Sequence, residues 1–352
     1  MHKVYHITEP MLEGKYWAEL YLKGIKREAA RLKLDAVRFD APDGVSCEGC
    51  AVIINGVSKD WTAAAVGAVL QKDCVPLALT PVNLRGCSTI ALDFYNVYKD
   101  MLALFKKEGA PRAALIGALK TSFNDDVKIL AVSDYYGGCA DGHIFYNDAG
   151  LAQTFEAFFE RLGDYDAAAF VNDVVAFNFM RFLKNKSGQN GVRLRFGTLA
   201  STALAEFFPK SVITEKFDCF QIGAEAVKLA AFLQKSGNLC EVAALVRDKK
   251  RIGGDNIAGG GCGAQNAFYG DTAVESVFRL EKLLSACDSA DIGILKGISE
   301  GKNYVRIGLE NYLSEAAVKY RVRRLRGIFG TASPRELARS VLSVLSAPRD
   351  EN

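Results

Sequence analysis

Short apolar runs alternate with longer amphipathic ones from the N-terminus to about residue 250, and no other feature restricts the fold of this chain as much. Residues 4–8, 51–55, 75–79, 89–92, 113–116, 144–146, 167–171 and 193–196 have the length and composition of strands. Between them, residues 16–34, 62–70, 97–107, 151–162, 174–184 and 221–234 read as helices. In the first, Trp17, Leu20, Leu22, Ile25, Ala29 and Leu32 recur at helical spacing. Strands joined through helices of ten to fifteen residues cannot pair as hairpins; they predict βαβ units, parallel sheets covered on both faces and right-handed crossovers. The expected class is α/β.

The alternation ends at the most glycine-dense stretch of the chain, residues 253–263, whose composition is that of a linker. Beyond it only helical patterns remain: 272–286, 290–299, 304–312, 315–329 and 334–345. The predicted organisation is a first unit over 1–252, a Gly-rich linker over 253–270 and an all-α unit over 271–352. A length of 352 residues suits two units, and 49% hydrophobic with 24% charged residues supplies a core without the signature of disorder. The N-terminus lacks a signal-peptide pattern, and no stretch of 18 apolar residues occurs, so no membrane partner is expected. Most of the nine cysteines are isolated in apolar surroundings, as at Cys74 and Cys219, which fits reduced thiols and a cytoplasmic location.

Charge is nearly balanced overall, at +3, but residues 315–339 hold seven Lys or Arg against two Glu. That imbalance on one helix is a footprint for a polyanion. Ser314 is a suitable N-cap and Glu315 suits the positive helix end. Val318, Val322, Leu325 and Phe329 make one buried stripe, leaving Lys319, Tyr320, Arg321, Arg323, Arg324 and Arg326 on the opposite side. Gly330 ends the helix. With the shorter helix at 304–312, this predicts a helix-turn-helix entering a major groove. The expected contacts to double-stranded DNA are Ser314, Lys319, Tyr320, Arg321, Arg323 and Arg324.

Leu313-Ser-Glu-Ala-Ala-Val-Lys and the later Ser-Pro-Arg-Glu-Leu337 resemble the LuxR/GerE-type helix-turn-helix, as does the Glu-Gly that closes the helix ending near Gly301. The resemblance covers about 60 residues. It departs at residues 288–293, where the family opens with Pro-Arg-Glu and where Gly293 weakens the helix. An AraC-type double helix-turn-helix is the alternative.

The first 250 residues resemble the effector domain of the lac-repressor family, a type I periplasmic-binding-protein fold of two lobes around a cleft. The matches are Tyr16-Trp-Ala-Glu-Leu20, Leu92-Asp93-Phe94-Tyr95, Ala113-Ala-Leu-Ile-Gly117, Phe170-Val-Asn-Asp173 with Ala176, residues 204–209, and Gln221-Ile-Gly223. The resemblance implies that Tyr16 and Trp17 wall the ligand, that Asn172 and Asp173 hydrogen-bond it, and that Lys128 replaces a clamping arginine; Asp93 lies in the matched stretch. Ala200-Ser201 stands where the family carries an Asp-Asp pair, which weakens the case for an ordinary sugar and leaves Ser201 as the polar candidate. With the first strand expected from Val4, the family's N-terminal DNA-binding headpiece is not expected here. The implied protein is a homodimeric regulator sensing a small polar metabolite.

Other motifs are weak. Cys47 and Cys50 form the lone Cys-x-x-Cys, with no second pair for zinc. The glycines at 259–263 lack the Lys-Ser/Thr of a phosphate loop, and His2, His6 and His143 are too scattered for a catalytic triad. No enzyme activity, cofactor or metal is expected. Two rivals stand beside the regulator: an α/β enzyme, and a binding protein whose basic tail recruits an acidic protein.

Overall fold

The computed structural model describes residues 3–45, 49–186, 194–200, 202–209, 211–236, 240–246 and 272–345. Cys47, Ser201 and the proposed linker at 253–270 lie outside them.

Two parallel sheets organise the chain. The first contains β1 (Lys3–Thr8), β2 (Asp35–Phe39), β3 (Ala51–Asn55), β4 (Val75–Ala78), β5 (Ser88–Leu92) and β11 (Ala243–Val246), in the order β2-β1-β3-β4-β5-β11. The second contains β6 (Ala113–Ala118), β7 (Ile144–Tyr146), β8 (Ala167–Phe170), β9 (Arg195–Ala200) and β10 (Val212–Lys216), in the order β7-β6-β8-β9-β10. Every pairing in both sheets is parallel. β3, β5, β6 and β8 are buried at every residue, as strands covered on both faces must be, whereas the edge strand β2 is largely open. The fold is α/β, with the two-lobed form of a type I periplasmic-binding protein.

The covering helices of the lobes are α1 (Tyr16–Arg31), α2 (Lys59–Leu70), α3 (Phe94–Lys107), α4 (Phe123–Tyr135), α5 (Leu151–Glu160), α6 (Asp173–Lys186) and α7 (Cys219–Ser236). α1 and α7 cross at backbone contact: a Cβ on Gly24 would stand 2.0 Å from the Phe220 carbonyl oxygen, and one on Gly223 would stand 2.3 Å from that of Tyr21. This crossing anchors the middle of α1, whose first turn carries Tyr16 after the N-cap Lys15. α3 follows β5 of the first sheet but packs on α4 and β8 of the second lobe, so the chain changes lobes there; α7 brings it back to pack on α1 and β3.

After β11, the described chain resumes as α8 (Thr272–Leu284), α9 (Ser289–Ser299), α10 (Tyr304–Glu310), α11 (Glu315–Ile328) and α12 (Pro334–Leu345). These are the five helices expected of the tail, their observed limits within three residues of the expected ones at every end. α9 to α12 pack on one another, and α8 packs on α12 and on α6 of the second lobe. Among the described residues no helix is long and apolar enough to cross a membrane.

Candidate ligand cleft and nucleic-acid interface

Parallel strands deliver their carboxyl ends to one edge of each sheet, and the loops beyond that edge build the binding crevice of open α/β folds. Here these ends carry buried polar side-chain atoms with no hydrogen-bond partner among the described residues: Thr8 Oγ1 in the last residue of β1, Asn55 Nδ2 in the last residue of β3, Thr80 Oγ1 beyond β4, and both Asn147 side-chain atoms after β7. Each of these residues is at most 5% exposed. Native interiors leave few such groups unsatisfied, so these four, three in the first lobe and one in the second, make this edge the candidate ligand site. Sequence reasoning missed all four, although Asn55, Thr80 and Asn147 end or follow short apolar runs, which was a usable signal.

The lobes meet at this edge. Glu9 accepts hydrogen bonds from the backbone of Val57 at 2.9 Å and Ser58 at 3.1 Å, and from the Ser58 hydroxyl, which fixes the loop after β3. That loop then reaches the other lobe: the Lys59 amide donates to the Thr121 carbonyl at 2.9 Å, and Lys59 Nζ pairs with Asp126 at 2.7 Å.

The sequence-predicted ligand residues divide. Asp173 is fully buried at the start of α6, and its Oδ2 accepts from the Thr202 amide at 2.7 Å, tying the ends of β8 and β9 together. Asn172 is buried beside it, with Oδ1 accepting from the Val175 amide at 2.9 Å as a helix cap. Tyr16 is half-buried at the start of α1 and lines a cavity of about 340 Å³ with Gly14, Lys15, Phe278, Arg279, Glu281 and Lys282. Burial and the Glu281 carboxyl raise its hydroxyl above the ordinary tyrosine range.

Three residues are corrected. Trp17 is a core side chain, packed edge-on against Tyr21 at a 5.9 Å ring separation. Lys128 is 1% exposed; its ammonium pairs with Asp125 at 2.6 Å, donates to the Val171 carbonyl at 3.1 Å and lies over the Phe94 ring. A buried cation so fully engaged is an internal brace, not a clamp for a ligand. Asp93 caps α3, accepting from the amide and the side chain of Asn96.

In the tail, α10, a turn at 311–314 and α11 have helix-turn-helix form. Ser314 caps α11 by accepting from the Ala317 amide at 3.2 Å. Val318, Val322 and Leu325 are buried as the stripe predicts, whereas its fourth member, Phe329, is half-buried at the end of the helix. Tyr320 is 73% exposed; Arg323 also projects outward, and Lys319 does so while paired with Glu315 at 2.6 Å.

Arg321 and Arg324 do different work. Arg321 Nη1 bridges Asp288 at 2.8 Å and Asp291 at 2.9 Å, and Arg324 pairs with Asp291. Asp291, fully buried, and Asp288 form a capping box at the start of α9. The two arginines therefore bolt the basic helix to α9, a correction to their placement among groups standing ready for phosphate. Gly293 also has a packing reason, since a Cβ there would stand 1.8 Å from Asn311 Oδ1 in the turn.

A two-lobed α/β fold of parallel sheets followed by a helix-turn-helix-shaped tail is the class these features define. No family model matches the chain, and no curated protein matches it in sequence. Solved structures match in fold. A protein of Bacillus cereus subsp. cytotoxis assigned as a LacI transcriptional regulator aligns at TM-score 0.59 and 14% identity, over 70% of this chain and 95% of that one. The LacI family regulator CCPA from Weissella paramesenteroides, with bound sucrose, aligns at 0.55 and 16%, over 73% and 99%. GanP, a glucose-galactose binding protein from Geobacillus stearothermophilus, aligns at 0.54 and 13%, over 70% and 96%. At these identities the likeness establishes the fold alone.

Proposed function

We propose that this chain is a ligand-responsive transcription regulator: residues 1–252 sense a small polar metabolite, 253–270 link, and 271–352 bind operator DNA through a LuxR/GerE-type helix-turn-helix, working as a homodimer in the cytoplasm without enzymatic activity. The observation that carries this reading is α11 itself, clamped to α9 by Arg321 and Arg324 while Lys319, Tyr320 and Arg323 remain outward. A groove-reading helix needs both properties, a rigid base and a cationic open face. Among the described residues α11 packs on α9, α10 and α12 and leaves that face exposed.

The sensing half rests on the unsatisfied polar groups at the strand ends. Structures of this fold include regulators and sugar-binding proteins, one with sucrose bound. Hydroxyl-rich ligands suit Thr8, Asn55, Thr80 and Asn147, which can both donate and accept. Tyr16, Asn172, Asp173 and Ser201 complete the proposed contact set.

Fluorescence anisotropy of a labelled duplex over a salt series tests the DNA-binding half. Affinity should fall steeply with salt, and Lys319→Ala and Arg323→Ala should each flatten the log–log slope by about 0.9. Failure to bind any duplex at low salt would remove the regulator reading in favour of a tail that recruits protein.

A further inference from the structure

Helix α8 occupies a position that a simple spacer between sensor and reader does not need. Val277, Leu280 and Leu284 are buried on one face, and Glu281, 2% exposed, is buried on that same face. On one side α8 packs against α6 and the 3-10 turn Ala203–Phe207, both of the second lobe. On the other it meets the first lobe, where Lys15 Nζ lies 4.5 Å from the centre of the Phe278 ring. The cavity of about 340 Å³ is walled by Gly14, Lys15 and Tyr16 from the first lobe and by four residues of α8.

The electrostatics identify the same meeting point. Glu281 is buried where the charges of Asp173 from the second lobe and Lys15 from the first both act on it, and Tyr16 in turn responds to Glu281. Tyr16 and Asp173, both assigned to the metabolite, thus share their surroundings with a carboxyl group of the chain's own tail.

We propose that α8 is an intramolecular ligand of the sensor cleft: seated between the lobes by Glu281 and its apolar neighbours, it fixes the helix-turn-helix on the sensor, and unseating it frees the tail. This rests on the sensor–reader reading above and supplies the physical link between its halves.

The seat is built to be left. Apolar contacts hold α8, but Glu281 Oε1 has no hydrogen-bond partner among the described residues, and the charge of Asp173 acts against the ionised carboxyl. A buried polar contact that is only partly satisfied weakens its own interface. Burial first, then Asp173, push the Glu281 carboxyl up to about 8, with Lys15 opposing, so the seated form is the protonated one and seating weakens as pH rises through that value. Arg279 and Lys282, on α8 itself, line the same cavity and are exposed.

Hydrogen exchange on the full chain without DNA, combined with the solution radius of gyration, tests this. Lys15→Glu places a third carboxylate at the seat from the lobe side, outside the hydrophobic core. It should speed exchange over residues 276–284 by more than about tenfold and enlarge the radius, leaving β8 and α11 protected. Adding Glu281→Gln should restore protection, because the amide removes the repelled charge. Unchanged α8 exchange in Lys15→Glu, or loss of protection spread equally over β8, would overturn the proposal.

Should Lys15→Glu fail to fold, Glu281→Gln alone decides. Wild-type α8 should loosen between about pH 7 and pH 9 beyond the intrinsic rate change, and the variant should not; an identical response in both overturns the proposal. None of these readouts uses DNA, so failed duplex binding and failed α8 release are separate results.

Discussion

Replacing Asp291 with alanine gives the sharpest test of how the tail is built, because charge counting and structure predict opposite outcomes for DNA binding. Asp291 is fully buried, caps α9 with Asp288, and pairs with Arg321 and Arg324. Loss of a capping-box partner costs about 1 kcal/mol. Breaking a buried pair costs about 3–5 kcal/mol, but the arginine side chains are 27% and 43% exposed and recover hydration; about 2 kcal/mol is the discounted figure. The tail should therefore lose about 3 kcal/mol, visible as faster exchange over α9 and α11 with β6 and β8 unchanged. By charge alone, removing an anion beside two arginines should strengthen attraction to phosphate. We expect the reverse, a loss of about tenfold or more in duplex affinity, because tenfold needs about 1.4 kcal/mol and the loosened α11 no longer presents its face rigidly. Anisotropy titration of Asp291→Ala against wild type reads this directly, and an unchanged or increased affinity with α11 still protected would refute the bolting role of the two arginines.

Lys128→Ala should lower the thermal midpoint sharply, by about 3–5 kcal/mol of stability, since it strands Asp125 in the interior; a ligand clamp would instead leave the melt unchanged. Gly24→Ala should cost about 1–3 kcal/mol in chemical denaturation, because its methyl would meet the Phe220 carbonyl oxygen at 2.0 Å and α1 would have to move. Stability should also respond to pH with opposing slopes. Glu281, raised from 4.5 to about 8, contributes fully below pH 4.5 and loses its contribution as pH climbs through about 8, whereas buried His6, lowered from 6.5 to about 4, contributes above pH 6.5 and loses its contribution as pH falls through about 4. Denaturation midpoints across this range check both, and Glu281→Gln should abolish the alkaline slope alone.

The fold was legible wherever burial imposes a period. The fully buried strands β3, β6 and β8 and the five tail helices stand close to where apolar spacing put them. Strands β2, β10 and β11 escaped notice: β2 is open and mixed in polarity, β11 is a four-residue run of Ala, Leu and Val with alternate residues exposed, and β10 carries Thr214, Glu215 and Lys216 among its five residues. Helix α4 was missed because its first turns are polar and its buried face includes Asn124, Asp125 and Lys128. The candidate site residues were less legible for a related reason. Sequence tells that Arg321 is charged, but not that Asp288 and Asp291, some thirty residues earlier, will reach it. Glu281 left one trace, a carboxylate on the same stripe as Val277, Leu280 and Leu284.

The last strand of the first sheet has a consequence for how the chain is made. β11 pairs with β5, and α7 lies against α1 with its glycine-flattened crossing, so the first lobe waits for residues that follow the whole second lobe. A ribosome that has released residues 1–216 has supplied every strand of the second sheet, yet the earlier-born lobe still lacks a helix over one face and its closing edge. Nascent chains of that length should be the ones that chaperones hold and proteases find, and truncations before residue 246 should fail as solubility losses in the half of the protein they leave uncut.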